Sequence, residues 1–487
     1  MPSARTDDLD VIVIGAGPAG VVAALRAARL GARTALVTRD ELGGMAANDG
    51  PVPVRTLAHA ARLMREARQL ARYGISTGEP TLDYRRLLAR VREVTGEVRG
   101  HALLRDELQR AGVTIHEHAG TARFVDPHVI ESDNGPRVRA ANVIVCTGGV
   151  SRQLPVPGFE LTCTHSDAWR LSSAPDSLLV IGAGATGVQV ASIFHAFGSR
   201  VTLFEAAPRI LMSEDEQVAA AMSTALQNSG VRILEHAGTI ERFEPCPAGV
   251  RLVYSRSGAQ SHVDATLAVV AVGWVANTDG LDLAAAGVQT DPRGYIKVDS
   301  RLRTTAPGIY AAGDVTGHLM VVHEAVREGY LAATNATLGR TDGLPAEVSP
   351  LGSFTDPEYA SVGLSEETAR ETYDVVVVTE RFDSLARPII DGRPTGFCKL
   401  VADREHHTIL GCHIVGERAV ELAQLAAIAV ASGMKIEQLA LVPFSFPTYA
   451  NGLGRAALRA AGHLDSRSGW ADEGTAWDAG VAAALDD

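Results

Sequence analysis

The sequence predicts an α/β protein with two repeated βαβ units and a C-terminal α+β region. Three observations point to this. A glycine-rich turn, Gly15-Ala16-Gly17-Pro18-Ala19-Gly20, follows a short β-branched run and opens an Ala/Leu/Arg-rich stretch. The same arrangement returns at Gly182-Ala183-Gly184-Ala185-Thr186-Gly187. From about residue 349 the pattern changes to strand-like runs suited to an antiparallel sheet, interleaved with helices. The length, 487 residues, allows about three domains.

The elements follow in order. Asp10–Ile14 reads as a buried strand, Ala19–Leu30 as a helix ended by Gly31, and Ala35–Thr38 as the next strand. Residues 58–110, rich in Ala, Leu, Arg and Glu, read as long helices, and Val143–Cys146 as another strand. The second unit comprises a strand at Ser177–Ile181, a helix at Thr186–Phe197 and a strand at Val201–Phe204. Gly308–Ala312 is a further strand, with a helix from about Val321. Tyr373–Thr379, Gly396–Ala402 and Ile409–Val415 read as strands and Ala419–Ser432 as a helix. The acidic, Gly/Ala-rich stretch Asp465–Asp487 reads as a flexible tail.

Composition excludes several classes. The balance of 45 basic and 57 acidic residues, net −12, argues against a nucleic-acid surface. No apolar run reaches the ~20 residues needed to span a bilayer. Acidic Thr6-Asp7-Asp8 leads straight into the first strand without a cationic leader, so a cytoplasmic location is expected. The five cysteines, Cys146, Cys163, Cys246, Cys398 and Cys412, form no CxxC or CxxxxC pair, and no metal site is expected.

Each glycine turn has a physical reading. Gly15 permits the tight turn, Gly17 lets the backbone approach a pyrophosphate, and Gly20 lets helix and strand pack closely. The helix N-terminus then offers free N–H groups and a positive dipole end. Gly182, Gly184 and Gly187 repeat these roles. Glu205, at the end of the next strand, suits a ribose 2′-hydroxyl and repels a 2′-phosphate, which favours NAD(H) over NADP(H), with Arg209 nearby as a softening influence. In the first unit the corresponding acid is replaced by Thr38, a weaker uncharged partner, with Asp40 as a substitute. Thr304 with Ile309-Tyr310-Ala311-Ala312-Gly313-Asp314 resembles the distal FAD motif of two-dinucleotide flavoproteins, and Thr147-Gly148-Gly149 fits their short link.

Together these residues, from about 9 to 462, resemble the class I pyridine nucleotide–disulfide oxidoreductases, which include lipoamide dehydrogenase, glutathione reductase, mercuric reductase and soluble transhydrogenase. Phe354-Thr355-Asp356-Pro357-Glu358 and Gly411–Glu421 are similar to segments of that family's interface domain. The resemblance implies a two-dinucleotide-binding-domain flavoprotein with Rossmann-like domains. The FAD domain spans 1–155 and 277–345, the NAD(H) domain 156–276, and an α+β dimerisation domain 346–464, ahead of the 465–487 tail. FAD is expected at Gly15, Gly17, Gly20, Thr38, Gly43, Gly44, Arg55, Thr147, Gly148 and Asp314. NAD(H) is expected at Gly182, Gly184, Gly187, Glu205 and Gly273, and the chain as a homodimer.

The departures cluster on the acceptor side. The family pattern is roughly GGTCxNxGCIPSK, and here Ala46 and Pro51 stand at both cysteine positions and Arg55 at the lysine. Gln189 replaces the lysine's glutamate partner, Phe446 the catalytic histidine, and Asn451 the glutamate that orients it. His323 aligns near the flavin end and is equally a candidate proton donor or a structural histidine. A disulfide relay needs a thiolate and a base, whereas hydride transfer between cofactors needs stacking and orientation. The expectation is an NADH-dependent FAD oxidoreductase that passes electrons directly to a small-molecule, non-thiol acceptor, of diaphorase or quinone-reductase type. Ala46, Pro51, Val52 and Phe446 of the partner subunit would line the acceptor pocket, and Arg55, without a carboxylate partner in Gln189, would make the flavin easier to reduce. Alternatives are a pyridine nucleotide transhydrogenase, a peroxide-forming NADH oxidase, or a non-catalytic FAD-binding subunit.

Overall fold

The computed structural model describes residues 9–102, 105–340, 342–344 and 348–464, so the expected tail at 465–487 lies outside the described residues. The chain forms two units. One draws on Met1–Leu154, Cys163–Ser173 and Val272–Glu347, the other on Pro155–Thr162, Ala174–Ala271 and Val348–Asp487.

In the first unit, β-branched runs form a parallel sheet in the order Thr114–His116, Thr34–Val37, Leu9–Ile14, Val138–Val145, Ile309–Ala311. Such runs suit strands covered on both faces. The long Val138–Val145 strand also pairs at its start, antiparallel, with Val129–Ser132. On one face lie the helices Pro18–Arg29 and Val322–Leu338, which enclose Val13, Leu25, Leu36 and Ile144. The other face buries Ile12, Phe124, Ile130 and Ile309. Gly329 lets the two helices touch, since a Cβ there would strike the Ala19 carbonyl oxygen. Helices Pro51–Gln69 and Tyr84–Ala102 occupy most of the stretch expected to be helical, but residues 74–83 between them are irregular. Gly149–Ser151 and Trp274–Ala276 form a separate antiparallel pair.

The second unit holds a parallel sheet in the order Arg232–Leu234, Arg200–Phe204, Ser177–Ile181, Leu267–Val270, and a three-stranded antiparallel sheet over Thr239–Ala265. It also holds a five-stranded antiparallel sheet ordered Leu351–Ser353, Tyr359–Gly363, Ile409–Val415, Phe397–Asp403, Val375–Arg381. Helices Ala419–Ala431 and Asn451–Leu464 cover it, burying Phe382, Leu400, Ile414, Leu422 and Leu453.

A buried ion cluster ties helix Glu216–Ser229 to that sheet. Asp215 caps the helix, its Oδ1 accepting from Gln217 N–H at 3.0 Å. Its carboxylate also takes Lys399 Nζ at 2.8 Å, and Lys399 reaches Glu366 at 2.8 Å. Lys399 and Asp215 are 3 % and 0 % exposed in their side chains, so each charge depends on the other. Beside them, Glu214 accepts from Ser361 Oγ at 2.9 Å, and burial holds its carboxyl above the usual range.

Candidate functional site

The first glycine turn has the shape a pyrophosphate site requires. Gly15 N–H donates to Val37 O at 2.8 Å with φ +99°, a conformation that favours glycine. A Cβ on Gly20 would collide with the Gly15 carbonyl oxygen. Gly17 caps helix Pro18–Arg29 with no side-chain bond, and a Cβ there would meet only Gly44 Cα, at 4.0 Å. Gly43 N–H donates to Ala16 O at 2.8 Å, which lays the Gly43-Gly44 segment on the turn. A Cβ on Gly44 would lie 2.7 Å from Gly17 Cα.

Two further predicted pieces arrive at one place. Asp314, half-buried, lies beside the Thr147–Gly149 link, since a Cβ on Gly149 would stand 3.5 Å from Asp314 Cβ. Burial, and then the charge of Glu328, raise the Asp314 carboxyl above its ordinary range. Asn277, which the sequence reading did not single out, supports the link. Its N–H donates to Gly148 O at 2.9 Å and its amide to Thr147 O at 3.1 Å. Thr147 Oγ1 is buried without a hydrogen-bond partner. The uncapped helix, the clear space at Gly17 and this orphaned hydroxyl fit a bound FAD.

The second unit repeats the geometry. Gly182 N–H donates to Phe204 O at 2.8 Å, and a Cβ on Gly187 would strike the Gly182 carbonyl oxygen. Gly184 caps helix Ala185–Ala196 with open space before it. Gly273, expected at this site, belongs to the first unit, where it is exposed with open surroundings. Glu205 Oε2 accepts from Ala183 N–H at 2.7 Å and its Oε1 from Ala207 N–H at 2.8 Å. The carboxylate is thereby held against the glycine turn. Arg209 donates to the carbonyls of Leu211 at 2.6 Å and Glu214 at 3.0 Å, so its guanidinium is already engaged within its own loop.

The two halves share a five-residue repeat, Glu117-His118-Ala119-Gly120-Thr121 and Glu235-His236-Ala237-Gly238-Thr239. Ala119 N–H donates to Thr38 O and Ala237 N–H to Glu205 O, both at 3.0 Å. Glu117 accepts from Leu42 N–H at 2.9 Å and Glu235 from Ile210 N–H at 3.0 Å. Thr38 therefore stands where Glu205 stands, buried at the end of its strand, while Asp40 is exposed. The repeat was readable in the sequence as an internal duplication.

The acceptor-side residues divide between the units. In the first, Ala46 is half-buried, Pro51 is exposed as the first residue of helix Pro51–Gln69, and Arg55 is half-buried one turn on. His323 is exposed in the first turn of helix Val322–Leu338. In the second, Phe446 is 49 % exposed and Asn451 opens helix Asn451–Leu464. Gln189 is occupied, its Oε1 accepting from Phe354 N–H at 3.0 Å and at longer range from Ser353 Oγ. All five cysteines are free, and Cys398 and Cys412 face each other at 3.8 Å in the sheet core.

Residues 9–329 match the family model described as pyridine nucleotide-disulphide oxidoreductase, and residues 349–457 match its dimerisation domain. The chain belongs to the pyridine nucleotide-disulphide oxidoreductase family. It is 36 % identical over 462 residues to a dihydrolipoyl dehydrogenase of Thermus scotoductus, covering 92 % of this chain and 96 % of that one. It is 32 % identical over 455 residues to a mercuric reductase of Lysinibacillus sphaericus, covering 93 % and 82 %. Among solved structures, the HOCl-induced flavoprotein disulfide reductase RclA from Escherichia coli superposes with a TM-score of 0.81 at 27 % identity, covering 92 % of this chain and 99 % of that one. Family members are FAD-dependent NAD(P)H oxidoreductases, and the two-dinucleotide α/β architecture with a C-terminal dimerisation domain is that of this chain. Ile389, Ile390, Ile428 and Leu441, all more than half exposed, lie in the matched dimerisation region. Among the described residues no helix is long and apolar enough to cross a membrane, and no cluster of metal-ligating side chains occurs.

Proposed function

We propose that the chain is an NADH-dependent FAD oxidoreductase that reduces a non-thiol acceptor directly, of diaphorase or quinone-reductase type. The observation that carries this reading is the contrast between two kept glycine turns and the segment Gly44–Pro51, which bears Ala46 and Pro51 where relatives with a dithiol carry cysteines. When bound, FAD supplies the two-electron chemistry that links NADH to the acceptor. The chain's part is binding and orientation. Gly15, Gly17 and Gly20 with Gly43 and Gly44 hold the pyrophosphate end, and Thr147 and Asp314 the ribityl end. Residues 1–155 and 277–345 form the FAD domain and 156–276 the NAD(H) domain, and 346–464 pair two copies into a homodimer. Ala46, Pro51 and Val52 offer an apolar surface to a planar acceptor, with Phe446 of the partner subunit as its aromatic wall. An anaerobic NADH titration of the visible spectrum tests the reading. FAD is expected to bleach without a thiolate–flavin charge-transfer band, and a soluble quinone to restore it. FAD that stays oxidised under excess NADH would falsify it.

Two observations support NADH over NADPH: Glu205 is held against the second glycine turn, where its carboxylate would meet a ribose hydroxyl, and Arg209 is engaged with backbone carbonyls. This also weighs against transhydrogenation. Glu205→Thr, which copies the Thr38 arrangement, is expected to raise KM for NADH ~10-fold with kcat little changed, as loss of a charge-assisted hydrogen bond of ~1.5–3 kcal/mol implies. An unchanged KM would remove Glu205 from the site.

A further inference from the structure

We propose that Glu328 is a positioning residue of the flavin site, acting as a two-handed brace that sets the Asp314 turn against the pyrophosphate helix. This rests on the reading that the N-terminal unit binds FAD. Glu328 lies on helix Val322–Leu338, 3 % exposed, and plays no part in the chemistry described above. Its two oxygens grip opposite ends of one turn. Oε2 accepts from Gly313 N–H at 2.6 Å, immediately before Asp314, and Oε1 takes His318 Nδ1 at 2.8 Å, just past the turn's end.

The turn between them is short, and its other side is fixed by Val315, which is fully buried and whose carbonyl oxygen accepts from Ile296 N–H at 3.0 Å. It is a single 3-10 turn, Asp314–Thr316, bounded by Gly313 at φ +77° and Gly317 at φ +70°. Thr316 Oγ1 closes it internally by donating to Gly313 O at 2.9 Å. That bond shapes the turn but does not locate it. Its placement against the pyrophosphate helix runs through helix Val322–Leu338, by way of the residue after Glu328. Gly329 rests on the backbone of Ala19, in the first turn of the helix behind Gly15–Gly20. Consecutive residues of one rigid helix thus touch both predicted FAD-contacting elements. A shift of Glu328 would move Asp314 relative to Gly17, and the two ends of one long ligand would no longer be matched.

The test measures FAD release from reconstituted holoprotein by flavin fluorescence, with the visible circular dichroism of the bound flavin and the thermal midpoint. Glu328→Ala is expected to release FAD ~10-fold faster or more, and His318→Ala ~3-fold faster, because the brace acts on FAD through the turn and only part of each lost hydrogen bond reaches the ligand. Both should alter the flavin dichroism. Glu328→Gln should stay within about two-fold of the parent, because its amide can accept from Gly313 N–H and donate to the imidazole. A lowered thermal midpoint with unchanged release and dichroism overturns the proposal. If Glu328→Ala does not fold, His318→Ala decides, and a parental release rate overturns it. Failure of the parent chain to bind FAD at all is a different result and removes the flavin reading itself.

Discussion

Lys399→Ala is expected to destabilise the chain by about 3–5 kcal/mol, the cost of leaving a buried carboxylate unpaired. Lys399 Nζ lies 2.8 Å from Asp215 and 2.8 Å from Glu366, in a place where Asp215 has no access to water. Burial, the largest influence, pushes the Asp215 carboxyl up, but the Lys399 hydrogen bond, the charges of His413 and Lys399 and the Glu366 N–H together outweigh it, and the group sits below its usual range. Burial would likewise depress Lys399, and its two carboxylates outweigh that and raise it. A depressed carboxyl stabilises above its unfolded pKa of about 3.9, and a raised ammonium stabilises below its unfolded pKa of about 10.4. The pair should therefore support stability across that interval, losing it as acid titrates Asp215 and as alkali titrates Lys399. In Lys399→Ala the sign at Asp215 reverses, since burial without a cation raises its pKa. That variant should be more stable at pH 5 than at pH 7.5, by urea unfolding. Adding Asp215→Asn should recover much of the loss, because asparagine still caps the helix and carries no charge. A loss under 1 kcal/mol, or no gain from the second change, would show the pair to be energetically idle.

Arg55→Ala is expected to lower the midpoint potential of the bound flavin. Arginine stays protonated, so this position carries a permanent positive charge where the family pattern has lysine. A unit charge ~4 Å from the flavin at an effective dielectric of about 20 favours the anionic reduced form by at most ~4 kcal/mol. At ~30 mV per 1.4 kcal/mol for a two-electron couple, the ceiling is roughly 90 mV, which solvent and neighbouring groups reduce to tens of millivolts. Arg55→Lys should keep most of the potential and Arg55→Ala should not. Equal potentials in all three proteins, measured against reference dyes, would take Arg55 away from the flavin.

The regular elements were legible where short-range physics dictates them. Ile409–Val415 was read to the residue, and the helices after both glycine turns to within a residue or two. Hydrophobic period and glycine punctuation are local signals, so they survive without the fold. The irregular stretch 74–83 was absorbed into a helical reading of 58–110, although Gly74, Gly78 and Pro80 and the lack of Ala and Arg mark a local break between the two helices. Gln189 was read only as a lost ion partner. Its hydrogen bond to Phe354, 165 positions away in sequence, has no local signature. Glu328 and Lys399 were passed over for the same reason. A glutamate beside an arginine in a helix and a lysine in a strand look like solvated side chains until the fold buries them.

The sequence by itself determined the family, the two glycine turns, Glu205 against Thr38, and the absence of cysteine at Ala46 and Pro51, because each depends on residue identity at a fixed spacing. Tertiary structure alone decided which charges are buried and what they hold. It engaged Arg209 on its own loop, brought Asp314 beside Gly149, paired Lys399 with Asp215 and closed Glu328 around the Asp314 turn. The energy of a charge depends on the water removed from it and the partner supplied, and the fold brings both from distant parts of the chain.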